Sequence, residues 1–178
     1  MLDFALIECW IKQSQADLKA ARDANSEAEE CHRRYWYQQS YEKAIKAYGL
    51  LKFRSDDPRE EREFRQAYLR VHAPFTSLSG SGFGGRLQVF GRQLRTFLYS
   101  LDNSAILIKI DESIPTVDPA RVSYRYPFLD DRTGTYIAPV DYHGWDAYQG
   151  NEEGVRSALD RLLRKVRDEL IISRRSPS

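Results

Sequence analysis

Phe4, Ile7, Ile11, Leu18 and Ala21 recur at three- and four-residue steps, with only Ser14 interrupting them. That spacing gathers apolar side chains on one face of an α-helix. It predicts a first helix within residues 1–23, with Lys12, Gln15, Asp17, Lys19 and Arg22 on its wet side. Residues 24–30, Ala-Asn-Ser-Glu-Ala-Glu-Glu, read as a polar connection. A second helix follows, in which Tyr37, Tyr41, Ala44, Ile45, Tyr48 and Leu51 share a face and Gly49 is the only break.

At 55–61 a Ser or Asp can cap, Pro58 suits a first helical turn, and the acids after it suit the positive end of the helix dipole. The third helix is expected to run to about Val71 and to stop at Pro74, and SLSGSGFGG at 77–85 reads as a loop. Leu87, Phe90, Leu94, Leu98 and Leu101 predict a fourth helix. Ala105–Ile110 fits either a continuation of it or a short strand. Pro115, Pro119, Gly134, Pro139, Gly144 and Gly150 mark 111–150 as a long irregular loop, an unusual length for a compact domain. Val155, Leu159, Leu162, Val166 and Leu170 predict the last helix, with 173–178 a tail. The fold class expected is all-α: one domain over 1–172, an up-and-down bundle of four to five helices with a long irregular loop before the last.

Composition changes this picture little. Lys and Arg number 27 against 26 Asp and Glu in 178 residues, so no overall field favours nucleic acid or a membrane surface, and a basic site has to be local. One candidate is the last helix, where Arg161, Arg164, Lys165 and Arg167, with Arg174 and Arg175 beyond, make either a solvated face or a surface for RNA backbone. Cys9 and Cys31 are too few for a disulfide framework, and the first residues do not read as a secretion signal, so a cytoplasmic protein with free thiols is expected. No stretch approaches the roughly 20 apolar residues of a membrane span.

Several segments match a known family in order. They are Ala16-Asp17-Leu18 with Ala21; Gln-Gln-Ser-Tyr-Glu-Lys-Ala-Ile-Lys-Ala at 38–47; Val71-His72 followed by Leu78; and Ser-Tyr-Arg-Tyr-Pro at 123–127 before an amphipathic helix. The series resembles the HEPN superfamily, whose pattern is close to A-x-x-D-L-x-x-A, Q-Q-x-x-E-K-A-x-K-A, H-x-x-x-x-L and A-R-Y-P. The chain departs from it with Ser-Tyr before Arg125 and Phe128 after Pro127. The resemblance implies a HEPN-like bundle, usually a homodimer, of one of two sorts. One is a metal-independent endoribonuclease, often a toxin or phage-defence effector, with an Arg, four to six residues and a His. The other lacks that motif and is a binding partner, often beside a small nucleotidyltransferase.

Arg65 and His72 have six residues between them and meet the loosest form of that motif. Metal-free RNA cleavage needs a group to accept the 2′-hydroxyl proton and a cation for the phosphate, which His and Arg supply. Against it, Gln66 follows the Arg and the pair precedes the middle loop, so a capping or core histidine is the competing reading. Gln38, Glu42 and Lys46 make the one polar face of the second helix. Glu42 and Lys46 are either an exposed ion pair contributing about 0.2–0.5 kcal/mol or the lining of a binding groove. Arg125, between Tyr124 and Tyr126, is a further RNA- or nucleotide-binding candidate, unless the tyrosines only pin the loop. Gly80–Gly85 fits G-x-G-x-x-G but lacks the preceding strand that phosphate binding needs. His32, His72 and His143 are scattered, so no metal and no cofactor is expected. The expected function is an RNA- or nucleotide-associated binding module in a prokaryotic two-component or defence setting. The competing class is the endoribonuclease using Arg65 and His72, and a third is a structural protein-interaction module.

Overall fold

Asp3 opens the first helix, its carboxylate accepting from the Leu6 amide at 2.9 Å, which satisfies one of the donors that a helix start leaves unpaired. The computed structural model describes residues 3–24, 30–53, 57–79, 86–114, 128–130, 134–138 and 151–175. Among these the chain is mostly helical: α1 Phe4–Asp23, α2 Glu30–Lys52, α3 Pro58–Leu69, α4 Pro74–Ser79, α5 Arg86–Tyr99, α6 Ser104–Glu112 and α7 Glu152–Arg175. The strands β1 Phe128–Asp130 and β2 Thr135–Ile137 pair antiparallel, Phe128 opposite Ile137.

α1 and α2 lie antiparallel, since Trp10 sits against Lys46, Ser14 against Ser40 and Ala24 against Arg33. Ser14, which interrupts the apolar stripe, is fully buried, and its hydroxyl donates to the Ser40 carbonyl at 2.6 Å. It joins the helices where the sequence shows only a gap. α7 runs antiparallel to α1 and parallel to α2: Arg22 meets Asp160 and Glu8 meets Arg174, while Tyr37 meets Glu152 and Lys52 meets Glu169. α2 is the central element, packing against α1, α3, α4, α6 and α7.

α3 folds back on α2 through Tyr68, whose hydroxyl donates to the Ile45 carbonyl at 2.6 Å. Gly49 makes room for that ring: a Cβ there would stand 2.2 Å from Tyr68 Cε1. Around Tyr68 the rings of Phe64 and Phe90 pack as a stack and an edge.

Four sequence expectations change. Ser77–Ser79, read as loop, belongs to α4. α4 starts after Ala73, which is fully buried at φ 47, and the Asp111 carboxylate accepts from the Phe75 amide at 3.0 Å. The segment at 105–110 neither continues α5 nor forms a strand. Asn103, at φ 66, breaks the chain between the two helices, and Asn tolerates that left-handed conformation. The expected loop at 111–150 holds the end of α6 and the β1–β2 hairpin. The expected tail from 173 is helical through Arg175, tied down by the Arg174–Glu8 pair at 2.7 Å. Among the described residues, seven helical segments thus stand where four to five were expected.

Candidate functional site

Gln38, Glu42 and Lys46 fall at successive four-residue steps on α2, so they form one stripe. An outward stripe would leave Glu42 and Lys46 in water; because α2 is surrounded, the stripe is inside instead. Glu42 is 5% exposed and Lys46 4%, which corrects the reading as an exposed surface pair. Lys46 Nζ is 2.5 Å from Glu42 Oε1 and lies 5.6 Å from the centre of the Trp10 ring. Glu42 Oε2 is buried with no hydrogen-bond partner.

His72 completes the arrangement from the turn between α3 and α4. Its Nδ1 is 3.3 Å from the same Glu42 Oε1, while 59% of its side chain remains exposed. It is therefore neither a core histidine nor a helix cap. A carboxylate this close to one ring nitrogen can pair with the protonated imidazole and leaves the other nitrogen for external chemistry. The result is a relay from inside to outside: the Lys46 ammonium, the Glu42 carboxylate, then an exposed imidazole that can bind an anion when protonated or accept a proton when neutral.

The other candidates separate. Arg65 is held by Glu61 Oε1, one helical turn back, at 2.5 Å, so the two members of the Arg-x6-His pair go to different carboxylates. Gln38 is 2% exposed and donates from Nε2 to the Ser113 carbonyl at 2.7 Å and the Ser113 hydroxyl at 2.9 Å. It locks the end of α6 rather than facing a ligand. Arg125, with its flanking tyrosines, and the glycine-rich 80–85 lie outside the described residues. Among the described residues no cluster of His, Cys, Asp and Glu could hold a metal ion, and no helix is long and apolar enough to cross a membrane.

Comparison with protein-family models, with curated proteins and with solved structures found no match. What the chain offers for a functional reading is its own geometry.

Two features of the site were not legible. Trp10 stands outside the apolar stripe of α1, and nothing in its local sequence ties it to Lys46. Asp111, at the end of an apolar run, reads as the start of a loop, yet it is fully buried beside α2 and α4. Burial pushes the Tyr41 and Tyr68 phenols well above their ordinary range, and the Asp111 charge adds to it. A second polar knot ties α2 to the start of α7. Tyr37 donates to Glu152 at 2.9 Å, and Arg156 reaches both. Burial works to raise the Glu152 carboxyl, but the Tyr37 hydrogen bond and the Arg33 and Arg156 charges outweigh it and leave it lowered.

Proposed function

We propose that the chain is a HEPN-like, homodimeric RNA- or nucleotide-associated binding module of a prokaryotic two-component (toxin–antitoxin or nucleotidyltransferase-associated) or defence system, and that His72 is its contact residue. The reading is supported by the ordered motifs on α1 and α2, by the antiparallel packing of those helices, and above all by the Lys46–Glu42–His72 relay. A buried ion pair is a weak source of stability, because desolvating two charges offsets most of their attraction. One that ends on an exposed imidazole is better explained by what the imidazole contacts.

A second reading has its own observation. Glu42 Oε1 at 3.3 Å from Nδ1 suits a general base as well as a binding cation, which favours a metal-independent endoribonuclease in which His72 takes the 2′-hydroxyl proton. Arg65, engaged by Glu61, is not the cation this version needs in its present rotamer.

The deciding experiment compares wild type with His72→Ala for binding of single-stranded RNA by fluorescence anisotropy and for cleavage of total RNA in EDTA. Because the His72 side chain is 59% exposed, the variant should keep its melting temperature. Loss of binding alone supports the module. Loss of a wild-type cleavage activity supports the ribonuclease. A variant that binds and cleaves as wild type does refutes both.

A further inference from the structure

Between α1 and α7 runs an open groove of about 150 Å³, floored by Leu18 and Leu163. Lys19, Arg22, Arg164 and Arg167 surround it, against the single carboxylate of Asp160 among its lining residues. Two of these cations are already engaged, Lys19 by Asp23 at 2.6 Å and Arg22 by Asp160. The other two are not. Arg164 donates only from Nε to the Asp160 backbone carbonyl, at 3.4 Å. Neither Arg164 nor Arg167 forms an ion pair with a carboxylate among the described residues.

Elsewhere on α7, Arg161 is paired with Asp102, Lys165 with Glu169 and Arg174 with Glu8. Arg164 and Arg167 are three residues apart and therefore share a helix face, where like charges repel. Two adjacent guanidiniums over a small groove, neither paired with a carboxylate among the described residues, are arranged for an anion from outside. Guanidinium forks match the oxygens of a phosphate better than they match a halide or a water. Size narrows the choice, because pockets for whole small molecules run to about 300–1,000 Å³. This groove suits one phosphate group rather than a complete nucleotide.

We propose that the α1–α7 groove is a phosphate-binding site in which Arg164 and Arg167 receive one phosphate oxyanion, either a phosphodiester of an RNA strand or free inorganic phosphate. As a backbone site it rests on the RNA reading above; as an oxyanion site it stands apart from it. It is also spatially distinct from the relay, since Trp10 lies a rise of about 18 Å along α1 from Arg22. An RNA strand that touched both would run along α1.

The test titrates the full chain with a fluorescein-labelled oligouridylate across a range of NaCl concentrations, and separately with sodium phosphate by calorimetry. It compares wild type, Arg164→Gln/Arg167→Gln and, as a control outside the groove, Arg174→Gln. Circular dichroism melts check that all three are folded. For a backbone site, the plot of log affinity against log salt becomes shallower by about 0.7 in the double variant, the share of one phosphate on a single strand. The control keeps the wild-type slope. Phosphate binding that the double variant loses, with an unchanged RNA slope, assigns the groove to the free ion. An unchanged RNA slope, or no RNA binding at all, together with no phosphate binding by wild type, overturns the proposal. The His72 reading fails separately: loss of RNA binding in His72→Ala with a wild-type slope in the double variant keeps the relay and removes the groove as a backbone site.

Discussion

Replacing Glu42 by Gln keeps the shape of the side chain and removes its charge. Lys46, 4% exposed and 2.5 Å from Glu42 Oε1, then has a neutral amide where its counter-charge stood. Breaking a buried pair by removing one partner costs about 3–5 kcal/mol. The low end applies, about 3 kcal/mol, because the Gln oxygen still accepts from the ammonium. In a chain of this size that lowers the melting temperature by about 6–12 °C. Removing both charges reverses the sign. Glu42→Leu/Lys46→Met exchanges the pair for apolar groups of similar length, and such exchanges are neutral or stabilising by about 1–4 kcal/mol. Urea titrations followed by circular dichroism give both values, with a shared slope as the check that the unfolded states are comparable. A Gln variant within about 0.5 kcal/mol of wild type would show that water reaches the pair. A double variant as damaged as the single one would show that the pair holds the helices together. The stable double variant also isolates function, because His72 then lacks its carboxylate inside an intact bundle. RNA binding or cleavage should fall in it as it does in His72→Ala.

Two further outcomes follow from the packing around α2. Gly49→Ala should destabilise by about 1–3 kcal/mol, since the added Cβ would stand 2.2 Å from the fully buried ring of Tyr68; in a Tyr68→Ala background the same change should stabilise by about 1 kcal/mol through helix propensity, and thermal melts of the four proteins read the reversal. At high pH the buried phenols resist ionisation. Burial and the Glu169 charge push Tyr48 from its ordinary 10 up to about 12, so below pH 10 this phenol is protonated in folded and unfolded chains alike, and from 10 to about 12 the unfolded chain releases a proton from it that the fold retains. Stability should therefore decline as pH rises through that window, by about 3 kcal/mol at its top for Tyr48 alone. Absorbance of tyrosinate measured beside circular dichroism would refute this if all 11 tyrosines ionised near pH 10 with the helices intact.

Apolar periodicity located the faces that pack. Tyr37, Tyr41, Ala44, Ile45, Tyr48 and Leu51 are buried as α2 predicts, as are Val155, Leu159, Leu162, Val166 and Leu170 on α7. Periodicity assumes that each helix has a wet side, and α2 scarcely has one. Contacted by five other helices, it also buries Arg34, Gln38, Ser40, Glu42 and Lys46. The residues of the candidate site were thus visible by type and spacing but were placed on the wrong side of the protein boundary. The exposure of His72 and its link to Glu42 depend on the Ala73 turn, whose positive φ no residue type there announces. The separation of α6 from α5 depends likewise on Asn103.

The pairing of α7 with α1 bears on the order in which the bundle assembles. Ser14 and Ser40 are 26 positions apart, whereas Arg22 and Asp160 are separated by 138. Closing the longer loop costs about 1.5 kcal/mol more in chain entropy. The α1–α2 hairpin is therefore the natural nucleus, and α7 is the late arrival that seals its open flank. Until it docks, the apolar surface that Val155, Leu159, Leu162 and Val166 will cover faces water. Substitutions at those positions should speed unfolding while leaving the folding rate almost unchanged, so the lifetime of the native state is set by how firmly its last helix holds.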